Sequence, residues 1–232
     1  MRVLDLFSGI GGFSLGLERA GMRTVAFCEV DDYCARVLKK HWPDVPNLGD
    51  VCAVDLPEGF AEVVCGGFPC QDISNAGKRA GIEGERSGLW AEYARIVRDI
   101  RPKFVIVENV SALLGRGLDR VLGDLAEVGY DAEWHCIPAS YIGAPHNRDR
   151  IWIIAYPQRG ERRQEPYCWS LGRMGREQQS VPWDRAWESA LRELRGMDDG
   201  LSYRVDRVDT LRNAIVPQIA EAIGHAIMAQ SN

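Results

Sequence analysis

Apolar and polar positions alternate in blocks along the first 156 residues. Residues 2–7 form a short apolar run that reads as a strand. Residues 13–20 carry Phe13, Leu15, Leu17 and Ala20 at helical spacing. Residues 23–30 read as the next strand, and Asp31 is a good N-cap for a helix reaching about Lys40. A short strand is expected near 47–51 and another at 62–65. Helices follow at 88–100 and at 117–128, the second ending at Gly129, with a strongly apolar strand at 103–107 between them. Residues 131–137 and 150–156 read as the last two strands. Such alternation predicts an α/β fold: a doubly wound, mostly parallel sheet with helices on both faces.

The pattern fails after Tyr156-Pro157. Residues 158–182 are polar and rich in Arg, Gly and Gln. One amphipathic helix is expected at 183–195, a turn at Asp198-Asp199-Gly200, and a final helix at 215–228. That last helix places Ile219, Ala222, Ile223, Ala226 and Ile227 on one face. The expected organisation is a sheet domain over 1–156, a small irregular region over 157–209, and a helical segment over 210–232 that returns to the sheet domain.

A chain of 232 residues can bury one sizeable core. No apolar run approaches the roughly 20 residues that span a membrane, and Asp5 interrupts the apolar N-terminus, so neither a membrane segment nor a signal peptide is expected. Seven cysteines without a C-x-x-C pair read as reduced thiols in a cytoplasmic protein, and four scattered histidines predict no metal site. The net charge of −5 is uneven: residues 1–156 hold 17 basic and 22 acidic side chains, while 157–213 hold 11 arginines against 10 acids. Arg159, Arg162, Arg163, Arg173 and Arg176 face only Glu161 and Glu165 within 159–176. That cluster suits contacts with phosphates, or equally a solvated, salt-bridged face.

Candidate chemistry gathers at strand ends. Cys70 lies in Gly67-Phe68-Pro69-Cys70-Gln71, just past the strand at 62–65. A thiol there faces the crevice where α/β sheets bind ligands, although a lone cysteine is equally often a small buried hydrophobe. Phe7-Ser8-Gly9-Ile10-Gly11-Gly12 makes a glycine-rich strand-to-helix turn, with Gly9 and Gly11 placed to let backbone approach a ligand. Glu29, ending the second strand, suits ribose hydroxyls, and Asp50 in Gly49-Asp50-Val51 suits an adenine amine. These features leave the choice open between a dinucleotide and another adenosyl cofactor. Glu108 follows the strand at 103–107, and Arg148 and Arg150 precede the final strand. They form either part of a site or a structural ion pair.

Taken together and in order, Asp5-Leu6-Phe7-Ser8-Gly9-Ile10-Gly11-Gly12, Gly67-Phe68-Pro69-Cys70-Gln71, Glu108-Asn109-Val110, Arg148-Asp149-Arg150 and Asn213-Ala214-Ile215-Val216-Pro217 resemble the DNA (cytosine-5)-methyltransferases of compact bacterial or phage type, which occur in restriction–modification. The resemblance implies the Rossmann-like fold of S-adenosylmethionine-dependent methyltransferases, with a small target-recognition region. It implies S-adenosylmethionine as methyl donor, held by Phe7, Glu29, Val30, Asp50, Val51, Pro69, Leu89, Asn213 and Ala214. It implies double-stranded DNA as partner, a cytosine flipped from the duplex, no metal, and a monomer. Cys70 would be the nucleophile at C6 and Glu108 the donor to the ring; Arg150 would hold O2 and Arg148 would support the loop. Segment 71–88, with Gln71, Ser74, Arg86 and Ser87, would close over the base, and the five arginines of 159–176 would contact DNA.

Two positions depart from the pattern. His146 stands where Gln is common, and Arg212 stands where Gly is usual, close enough to crowd the cofactor. A tRNA cytosine-5 methyltransferase and a catalytically inactive DNA-binding relative remain as alternatives.

Overall fold

The computed structural model describes residues 1–69, 88–142, 148–158 and 214–230. Cys70, the loop 71–87, His146 and the segment 159–213, with its expected helix at 183–195, lie outside the described residues. The described elements run β1 (Arg2–Leu6), α1 (Gly12–Arg19), β2 (Arg23–Cys28), α2 (Asp32–His41), β3 (Val63–Gly66), α3 (Leu89–Ile100), β4 (Phe104–Val110), α4 (Leu118–Glu127), β5 (Tyr130–Pro138), β6 (Asp149–Pro157) and α5 (Pro217–Gln230). Asp31 caps α2 as expected, accepting from the Cys34 N–H at 2.8 Å.

The six strands are ordered β2-β1-β3-β4-β6-β5. β1 pairs in parallel with β2 and β3, and β3 with β4, whereas β6 lies antiparallel to both β4 and β5. Successive residues of the central strands enter opposite cores, because strand side chains alternate between sheet faces. Leu4, Val64, Val105, Val107, Ile151 and Ile153 pack on one face with Trp90, Tyr93, Ile96 and Val121 of α3 and α4. Val3, Val63, Ile106, Trp152 and Ile154 pack on the other with Phe13, Leu17, Ile219 and Ile223 of α1 and α5. Burial on both faces explains why these strands read as continuous apolar runs.

Two expectations need correction. No strand forms at 47–51: Asn47 makes a single parallel bridge to Phe27, and Val51–Ala53 is a 3-10 turn. Pairing ends there because Gly49 turns the chain at φ +77°. The strand expected at 103–107 runs on to Val110, because antiparallel β6 pairs with Val105 to Val110, beyond the reach of β3. Glu108 therefore sits within β4, not beyond it, and Arg150 lies in β6, which the expected strand at 150–156 already included.

The α1–α5 contact is close at Gly16. A Cβ there would meet the Pro217 carbonyl, the Ala220 Cβ at 2.7 Å and the Glu221 nitrogen at 2.8 Å. Helix backbone cannot yield as a flexible side chain can, so Gly16→Ala should destabilise the fold by about 1–3 kcal/mol. Thermal unfolding measures this; an unchanged midpoint would show that α5 can move outward at no cost. Among the described residues, no helix is long and apolar enough to cross a membrane.

Candidate active site

The turn after β1 is held from below by a buried acid. Asp5 is fully buried, and its carboxylate accepts from the Ser14 hydroxyl at 2.7 Å and the Ser14 N–H at 3.3 Å, in the first turn of α1. Its carbonyl accepts from the Ser8 hydroxyl at 2.6 Å. Burial pushes the Asp5 carboxyl up to about 7, against the pull of the Ser14 bonds. Both sides of the glycine turn are thus tied to one residue. Asp5 carried no expected role at the site, although an acid inside an apolar strand, with Ser14 just into the next helix, signals such a tie. Above it, Phe7 adopts a left-handed φ of +52°, a conformation uncommon for residues other than glycine.

Gly11 serves a different purpose from the one expected. A Cβ on it would meet the Trp42 ring at 2.6 Å and Leu38 at 3.1 Å, so it lets α1 settle on the end of α2. It does not line the cavity beside the turn. The Trp42 ring is fixed by donating its indole N–H to Glu18 at 2.8 Å.

That cavity, of about 550 Å³, opens where the parallel strands end. Phe7, Gly9, Glu29, Val30, Asp50 and Val51 line one part of it, and Pro69, Leu89 and Ala214 also reach it. Glu29 accepts from the Gly9 N–H at 2.7 Å and from the Asp31 N–H at 2.8 Å, one bond on each carboxylate oxygen. Asp50 caps the 3-10 turn by accepting from the Cys52 N–H at 2.9 Å. Val30 is 70% exposed and offers an apolar surface at the mouth.

Glu108, Arg148 and Arg150 line the same cavity. Val110 pairs with Arg150 in the ladder, which makes Arg150 the diagonal neighbour of Glu108 on one sheet face. The Arg150 Nε lies 3.0 Å from Glu108 Oε1. Burial pushes the Glu108 carboxyl up to about 7, although Arg150 and Arg148 both pull it down. The carboxyl is therefore poised to hold or release a proton near neutrality. Arg148 is tied in place through its carbonyl, which accepts from the Ala139 N–H at 3.0 Å.

Asn109 is a further contributor. It is buried and donates to the Phe68 carbonyl at 3.2 Å, fixing the strand-end loop two residues before Cys70. Cys28 and Cys34 also line the cavity. Cys70, Asn213, Gln71, Ser74, Arg86, Ser87 and the arginines of 159–176 lie outside the described residues.

The comparisons with known proteins agree with this arrangement. The profile of C-5 cytosine-specific DNA methylases matches residues 1–207. Type II methyltransferase M.Eco47II of Escherichia coli is 38% identical over 161 residues, 66% of this chain and 39% of that protein. Type II methyltransferase M2.BsuMI of Bacillus subtilis is 37% identical over 164 residues, 67% of this chain and 42% of that protein. The chain thus spans well under half the length of these relatives. The crystal structure of a DNA modification methyltransferase encoded within an E. coli prophage superposes with a TM-score of 0.56 at 26% identity, covering 68% of this chain and 47% of that one. With ordered motifs, sheet and family profile in accord, the chain belongs to the C-5 cytosine-specific DNA methylase family.

Proposed function

We propose that this protein transfers a methyl group from S-adenosylmethionine to C5 of a cytosine flipped out of duplex DNA. The observation that carries the reading is the single cavity lined both by the Glu29 and Asp50 turns and by Glu108, Arg148 and Arg150. Its volume suits a small-molecule ligand.

The residues at the first end fit the methyl donor. A carboxylate has about four acceptor sites, so the two backbone bonds to Glu29 leave capacity for ribose hydroxyls. Asp50 and the Val51 backbone suit the adenine edge, and exposed Val30 suits its flat face. Phe7, Gly9, Pro69, Leu89, Asn213 and Ala214 complete the cradle in this reading. When bound there, S-adenosylmethionine supplies a methyl group on a sulfonium centre, open to attack by carbon. Glu29→Ala should weaken binding of S-adenosylhomocysteine by about 1–3 kcal/mol, the cost of leaving ribose hydroxyls unpaired. Calorimetric titration reads this directly, and undiminished affinity would remove Glu29 from the site.

At the other end, cytosine C5 is a poor nucleophile until the ring is activated. The Cys70 thiolate adds to C6, which splits one hard step into easier ones. Neutral Glu108 donates to ring N3 and accepts from the exocyclic amine, drawing electrons from the ring so that C6 can be attacked. Arg150 holds O2, and Arg148 supports its loop. C5, now part of an enamine, would take the methyl group as the sulfonium C–S bond breaks and S-adenosylhomocysteine is left. Loss of the C5 proton and expulsion of Cys70 restore the aromatic ring. Extruding the base costs a few kcal/mol, which contacts from Gln71, Ser74, Arg86 and Ser87 help to offset.

The arginines of 159–176 supply phosphate and base contacts. A reader as short as residues 157–212 specifies few base pairs, roughly two to four, because each bidentate contact reads one base. Incubation with labelled methyl donor and either duplex DNA or tRNA tests the proposal. Label in DNA, with bisulfite sequencing giving a short cytosine-containing site, is expected. Label in tRNA alone would move the enzyme to the other substrate, and label in neither would make it an inactive relative.

A further inference from the structure

Asn47 stands where a strand was expected: its main chain makes one parallel bridge to Phe27, and its side chain carries the pairing on to Glu29. Its Nδ2 donates to the Glu29 carbonyl at 2.9 Å, while its Oδ1 accepts from the Glu29 N–H at 3.0 Å. This reciprocal pair copies the bonding of a neighbouring peptide just past the end of β2. The same Oδ1 accepts from the Gly49 N–H at 3.2 Å, one residue before Asp50. Glu29 in turn reaches Gly9 at 2.7 Å. A line of bonds therefore runs from Gly9 through Glu29 and Asn47 to Gly49, connecting three turns that border the cavity. On the far side of Asp50, Arg95 of α3 donates to the Val51 carbonyl at 3.0 Å and is itself held by Glu92 at 2.7 Å and Asp99 at 3.5 Å. Asp50 is thus suspended between a tether to the Glu29 turn and a tether to α3.

We propose that Asn47 is a positioning residue that sets the spacing between the Glu29 and Asp50 carboxylates, and so the affinity for an adenosyl ligand. The proposal rests on the reading of the cavity as the adenosyl site. A ligand with a ribose and a purine must meet both carboxylates at once. Holding the two turns at a fixed separation before binding spares the ligand the cost of ordering them. The bonds to Asn47 are exposed to water, so each is worth little to the fold. Their effect appears when both carboxylates must act together.

The test is calorimetric titration of the full chain with S-adenosylhomocysteine. Asn47→Ala should weaken binding about tenfold, the effect of two or three modest hydrogen bonds. Asn47→Leu, which keeps the bulk but has no polar atoms, should weaken it to the same extent. The deciding measurement repeats Asn47→Ala in Glu29→Ala and Asp50→Ala backgrounds. With either carboxylate gone there is no spacing left to set, and the loss should shrink to about twofold or less, the non-additivity expected of coupled groups. A full loss in both backgrounds, or no loss in the parent protein, overturns the proposal. Parent protein that binds no S-adenosylhomocysteine overturns the adenosyl reading itself, and the two failures are thereby told apart.

Discussion

Replacing Cys70 by alanine will abolish methyl transfer and, with it, covalent trapping on DNA that carries 5-fluorocytosine at the target site. Fluorine at C5 cannot leave as a proton does, so an adduct formed by the thiolate persists and survives denaturing electrophoresis. Cys28 and Cys65 cannot substitute. Cys28 lines the same cavity, but burial and the carboxylates of Asp5, Asp50 and Glu29 push its thiol up to about 12. Cys65 is fully buried and is driven well above the ordinary thiol range by burial and Asp5. A thiol that stays protonated is not a nucleophile. Pro69, which precedes Cys70 in the sequence, lines the cavity, and Asn109 anchors the Phe68 carbonyl just before it. Turnover by Cys70→Ala at the parent rate would end the covalent mechanism.

Glu108→Gln is expected to retain DNA binding and to lose a factor of about 10²–10⁴ in the single-turnover rate, the usual contribution of a positioned acid. Glutamine preserves the shape but cannot carry the acid's proton. The pH profile gives an independent reading. Burial raises the Glu108 carboxyl to about 7. Its neutral form therefore dominates below neutrality and is lost as pH rises through that value. The nucleophilic thiolate is favoured as pH rises. The parent protein should thus show a bell-shaped rate profile, and Glu108→Gln should lack the descending limb assigned to this carboxyl. Rates measured from pH 5.5 to 9 test both points. A variant with the parent rate would leave the Glu108–Arg150 contact as a structural ion pair.

The order of strands and helices was legible because most elements are buried in a regular way. The apolar runs of β3 and β4 and the helical spacing of α1 and α5 each have one structural meaning. The Asp31 cap was legible because it is local chemistry. What escaped depended on partners distant in the chain. The segment 47–51 falls where the alternating pattern calls for a strand, yet Asn47 makes one main-chain bridge and continues the pairing through its side chain. Gly11 looks like a ligand-facing glycine, and only the position of Trp42 shows that it accommodates an aromatic ring. The reversal of β6 leaves no trace in periodicity, because both strand directions bury the same alternating residues. Glu108 and Arg150 were each singled out from position, but their 3.0 Å contact follows from that reversed pairing.

The placement of β6 also has a consequence for how the protein reaches its working state. β6 is the last strand in the described chain, yet it lies between β4 and β5. A nascent chain that ends before Asp149 can assemble the four parallel strands, but β4 then has an open edge along Val105, Ile106 and Val107. Such an edge is a template for aggregation, and domains emerge from synthesis N-terminus first. Arrival of residues 149–157 covers the edge, docks β5 and delivers Arg150 to Glu108 in one event. Edge protection and the Glu108–Arg150 contact are therefore acquired together. In refolding from denaturant, enzymatic activity should return no earlier than sheet closure, and never with the β1–β4 core alone.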